Sequence, residues 1–148
     1  MSARHRETFW RKHSLSLIAC SVLLVWTALY LVSSPDSHWG SFFGNAIADW
    51  TGLVVMVLAT KRMYETGSAQ SKQPSPAWLP HRLGFLREHS LTMFFLITGT
   101  AWVALFKHVE PMSKWGQVVG NIVSEWTQIL GLVLLTKRLR ESGSQDSK

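Results

Sequence analysis

Three features of the sequence predict an all-α membrane protein of four transmembrane helices, made by tandem duplication of a helical hairpin. First, 47% of the 148 residues are hydrophobic while only 16% are charged, and the apolar residues fall in runs of about 18 to 22, the length that crosses a bilayer core. Second, the chain matches itself without gaps at an offset of 76 residues, with roughly 28 identities over 68 positions. Third, Lys and Arg collect on one side of the apolar runs: thirteen lie in residues 1–13, 61–88 and 137–148, against Lys107 and Lys114 beside the two turns. A soluble domain and a disordered chain are both disfavoured, because eight Trp and seven Phe are too much apolar surface for a solvated coil.

The elements follow in order. Residues 14–33 form the first predicted helix. Its basic flank and apolar run resemble a cleavable leader, yet the segment recurs internally, which argues for a retained helix. Ser34-Pro35-Asp36-Ser37 is turn and helix-start chemistry, and Trp39 opens the second helix, about 39–60, at the level where indoles prefer the interface. Residues 1–72 thus form the first two-helix repeat and 73–80 a linker, with Thr66 to Pro80, rich in Ser, Gln and Pro, expected to be flexible. Ala77-Trp78-Leu79 and Leu83 to Leu86 have the composition of a surface-lying segment. Residues 81–148 repeat the plan with helices at about 90–106 and 115–136, joined by Glu110-Pro111-Met112-Ser113. Gly67 to Lys72 and Gly143 to Lys148 are helix-stop and tail signals.

Thirteen cations against two place both termini and the linker in the cytoplasm and both turns outside. Each repeat has an even number of helices, so both copies insert in the same sense and a pseudo-two-fold axis runs along the membrane normal. The formal charge of +6 is explained by topology and headgroup contact, so the bilayer is the expected partner and nucleic acid is not. Cys20 lies mid-helix and is alone, which rules out an internal disulfide.

The chemistry concentrates in the second helix of each repeat. Gly40, Gly44 and Ala48, with Gly116, Gly120 and Ser124, form small-residue stripes suited to close helix packing, within the chain or in a homo-oligomer. About 100° around the helix, Asn45 pairs with Asp49 and Asn121 with Glu125 at a four-residue spacing. The acids fall near the bilayer midplane, where an ionised carboxyl costs about 2.5 kcal/mol or more. No Lys or Arg lies at that depth in any of the four runs. Protonation, a bound cation or hydrogen bonds from Asn45, Asn121, Thr51, Thr127 and the indoles must then neutralise them. Trp50 and Trp126 are either a cation-π wall or volume filling, and His5, His13, His81 and His89 are read as headgroup-level residues without metal-ligand spacing. No cofactor fingerprint, metal set or catalytic constellation is present, so an enzyme is not expected.

The pattern of Asn45 to Asp49 and Trp50, followed by Glu65 to Lys72, with the second copies and the His-Ser-Leu helix starts, resembles a family of bacterial inner-membrane proteins that carry a domain of unknown function. That resemblance implies an inner-membrane location and no particular activity. Two functions are expected from the residues: a small proton- or cation-coupled transporter or channel using the Asn45, Asp49, Asn121 and Glu125 cluster, or a non-transporting protein whose buried acids organise packing or partner binding.

Overall fold

The computed structural model describes residues 9–71, 80–139 and 144, and within them the chain is all-helical with no strand. Five α-helices are present: α1 (Phe9–Val32), α2 (His38–Ala59), α3 (Gly84–Glu88), α4 (Ser90–His108) and α5 (Lys114–Leu135), with a 3-10 turn at His81–Leu83 before α3. Four of them, all but α3, are long and apolar enough to cross a membrane. The expected segments are all found. The largest difference is at α1, which extends five residues before Ser14 because Phe9 to His13 continue the helix without a breaker.

The turn ends are built alike in both hairpins. Ser37 and Ser113 cap α2 and α5, each hydroxyl accepting from the backbone N–H three residues on at 3.0 Å, from Gly40 and Gly116. The same hydroxyls donate back to the Ser34 and Glu110 carbonyls at 2.7 and 2.6 Å, and the chain reverses in a few residues. Lys114 then donates to the Ser33 and Leu31 carbonyls at 2.7 and 3.2 Å. One of the two cations at this end is thereby spent on the open carbonyls that end α1.

The main packing runs α1 on α2, α2 on α5, and α5 on α4, so α2 and α5 form a central pair with one helix flanking each. Tyr30, Ile47, Leu91, Phe95, Ile122, Trp126 and Val133 make the core. Most of the remaining apolar surface points outward. Leu24, Val25 and Val32 on α1 and Ile97 on α4 are more than half exposed, the reverse of a water-soluble bundle and the arrangement expected of helices solvated by lipid tails.

Of the stretch from Thr66 to Pro80 expected to be flexible, residues 72–79 lie outside the described residues, and the part before them is ordered by contacts. Thr66 to Ser71 is packed, with Ser68, Ala69 and Ser71 buried, and Gly67 takes a positive φ of 86° in a tight turn, well past the end of α2 at Ala59. The hydroxyls of Thr66, Ser68 and Ser71 each find a partner here, in the Glu88 carbonyl, Thr136 Oγ1 and the Glu65 N–H. The Ala77-Trp78-Leu79 segment lies outside the described residues, as do residues 140–143 and 145–148 of the tail. Leu83 in the 3-10 turn and Phe85 in α3 are exposed.

Candidate functional site

The amides and acids predicted to cluster are brought together. Asn121 donates from Nδ2 to Asn45 Oδ1 across the α2–α5 contact. One turn further along, Asp49 and Glu125 line a common pocket of about 360 Å³ with Trp50, Gly52, Leu53, Met56 and Ile129. Each acid sits at the middle of its own 22-residue helix, about 16 Å from either end. Asn45 and Asp49 are exposed on the open face of the central pair, whereas Asn121 and Glu125 are half-buried.

Gly52 makes the Glu125 position possible. A Cβ there would come within 2.6 Å of Glu125 Cγ and 2.9 Å of Ile129 Cδ1, so a bare backbone lets the glutamate lie across α2. At the offset of 76 the corresponding residue is Gln128, and it is exposed. The two acids are therefore not equivalent: Glu125 lies against the α2 backbone, while Asp49 faces outward.

The glycine stripes lie inside the hairpins. A Cβ on Gly44 would meet Tyr30 Cε2 at 3.2 Å and one on Gly120 would meet Phe106 Cε2 at 3.0 Å, while Gly40 and Gly116 face the carbonyls of Ser34 and Glu110. All four glycines are thus occupied by their own hairpin. Trp126 is buried, donates to Thr98 Oγ1 at 2.9 Å, and stacks edgewise on Phe95 and Trp102, which is volume filling. A further groove of about 250 Å³, at Gly99 and Trp126, has no ionisable group in its lining.

A second polar centre, not anticipated from the sequence, closes the linker end. The Glu65 side chain is fully buried and pairs with both Lys137 and His89, the latter at 2.7 Å. Its Oε2 also accepts from the Thr92 N–H at 3.1 Å, in the first turn of α4, where a negative charge is favoured. Tyr64 completes that helix start: its carbonyl accepts from Leu91 N at 3.0 Å and its N–H donates to Ser90 Oγ at 2.8 Å. Burial alone would push the Glu65 carboxyl up, but hydrogen bonds from Lys137, Thr92 and His89 outweigh it and hold it below the ordinary glutamate value. Ser68 and Ala69 bind Thr136 Oγ1 at 3.1 and 3.3 Å, so the segment after α2 is fastened to the start of α4 and the end of α5.

His89 is therefore a hydrogen-bond partner of Glu65, a role its spacing in the sequence does not announce. One signal did exist. Glu65, His89 and Lys137 recur as Glu141, His13 and Lys61 at the 76-residue offset, an identity that loose tails have no reason to keep. Among the described residues no group of three or more His, Cys, Asp or Glu is placed to hold a metal ion. Comparison with protein-family models, with curated proteins and with solved structures finds no match for this chain.

Proposed function

We propose that this chain is a multi-pass protein of the bacterial inner membrane in which Asp49 and Glu125, with Asn45 and Asn121, bind and release a proton or a monovalent cation during transport or conduction. The observation that carries the reading is the meeting of two carboxyls at mid-helix, in one pocket, with no Lys or Arg at their level. A carboxyl at that depth needs a proton, a cation or hydrogen bonds, and exchange between such states is the elementary step of coupled transport. No nucleophile or cofactor site is part of this proposal, which is non-enzymatic.

The duplication belongs to the same proposal. Like interactions recur 76 residues apart: the serine caps, Gly44 on Tyr30 with Gly120 on Phe106, and His13 on Phe9 with His89 on Phe85 at ring separations of 4.6 and 4.7 Å. These pairs support a pseudo-two-fold axis along the membrane normal, passing near the Asn45–Asn121 bond, with both termini and the Glu65 centre on the cytoplasmic side. Equivalent residues would then share a depth.

A second reading is favoured by the Asn45–Asn121 bond itself, which pins α2 to α5: the cluster then only organises packing. Proton and monovalent-cation flux in proteoliposomes separates the two. Under the transport reading, flux present in the native protein is lost in the Asp49→Asn, Glu125→Gln double variant while the protein remains folded. Absence of flux in both proteins leaves the packing reading.

A further inference from the structure

The open face of the central pair carries four polar side chains near mid-helix, Asn45 and Asp49 on α2 and Ser124 and Gln128 on α5, with the half-buried Asn121 and Glu125 at its floor. Asn45, Asp49, Ser124 and Gln128 are exposed. In hydrocarbon every one of these groups lacks the water that would satisfy it, and an unsatisfied polar group there costs several kcal/mol. The outer faces of α1 and α4 show the contrast, since Leu24, Val25 and Ile97 are suited to lipid. The polar face is not.

From this the geometry points to a homodimer in which the polar faces of two copies meet about a two-fold axis parallel to the membrane normal. The inference rests on the chain spanning a membrane and is independent of whether it transports. Such an axis keeps each residue at its own depth and sets α2 of one copy against α5 of the other. Asp49, an acceptor when ionised, then meets Ser124 and Gln128 of the second copy, which can donate. Asn45 likewise meets Asn121, whose carboxamide oxygen has no protein donor among the described residues. A face so close to its own complement needs no foreign partner to be satisfied, and an isologous contact is the commonest way for a chain to bury one.

Size and the state of the other packing surfaces agree. Two adjacent helices of 22 residues present a face of roughly 33 by 18 Å, about 600 Å² per copy, near the lower end for a stable pair. The glycine stripes that would otherwise invite close helix contact are already filled by Tyr30 and Phe106, which leaves the polar face as the surface to be covered. Buried there, two Asp49 and two Glu125 surround one axis.

Disulfide cross-linking in native membranes tests this. Two differently tagged copies are co-expressed, both carrying Cys20→Ser, one with Leu53→Cys on α2 and the other with Gln128→Cys on α5. Mild oxidation is expected to join the two tags in a species several-fold more abundant than that from a control pair carrying Leu24→Cys on the lipid-facing side of α1. Joining no greater than the control, or a disulfide to a different protein in place of the second tag, overturns the proposal. Reporter fusions on the same variants keep the membrane reading separate: if they show both termini inside and no cross-link forms, only the dimer fails.

Discussion

Glu65 shows how a single residue can hold two halves of a chain together. Its carboxylate has no exposed surface and faces Lys137, His89 and the first turn of α4 at once. Because its folded-state pKa is depressed, its contribution to stability is complete above the ordinary glutamate value and is lost as pH falls through the lower folded-state value. Thermal unfolding in detergent followed from about pH 5 to about pH 3 should show the native protein losing stability, while Glu65→Gln starts lower and loses less over the same range. Glu65→Ala, which leaves Lys137 and His89 without their acid, is expected to cost about 3 kcal/mol at neutral pH. An unchanged melting temperature in that variant would mean that the Glu65 contacts do not hold the fold together.

At the level of the element, the hairpin turns are the most locally determined parts of the molecule. Ser37 and Ser113 each close their own turn and cap their own helix within three residues in either direction. Their chemistry was therefore readable from the Pro and Ser positions alone. Replacing either by Ala removes a cap and should destabilise the fold by about 1 kcal/mol, and the two losses should add, since each serine bonds only within its own turn. Thermal melts of the two single variants and the double variant check this. A double variant that loses only as much as one single would imply that the turns are coupled, for example through Tyr30 and Lys114, whose bonds link the end of α1 to the start of α5.

For the whole molecule, the distribution of charge and the path of the chain make one statement. Thirteen Lys and Arg flank the ends where α1 and α4 begin and α2 and α5 finish, and two flank the turns. Reporter fusions after Lys148 should be active only in the cytoplasm, and fusions within the Ser34–Ser37 turn only outside. Either terminus appearing outside would overturn the proposed orientation. Asymmetry also exists at this scale. Gly52 admits Glu125 between the central helices, while Gln128, its counterpart, stands on the open face, so one acid is held between the central helices and the other is left outward-facing.

Some of this was determined by sequence alone: four long apolar helices, short turns with helix-start chemistry, and an amide and an acid on one face of α2 and of α5. Helical period and apolar run length are local properties, and they fix those features before any packing occurs. Contacts between distant segments were not legible. That Thr66 to Ser71 would fold rather than hang loose depended on Thr136, Lys137 and the start of α4 arriving beside it, and composition in a short polar stretch cannot report partners 22 to 70 residues away. The glycine stripes could be located but not assigned, because only the packed hairpin shows Tyr30 and Phe106 filling them. Tertiary structure decided which polar groups are satisfied within the chain and which remain on an open face. A burial pattern depends on neighbours, and neighbours are chosen by the whole chain.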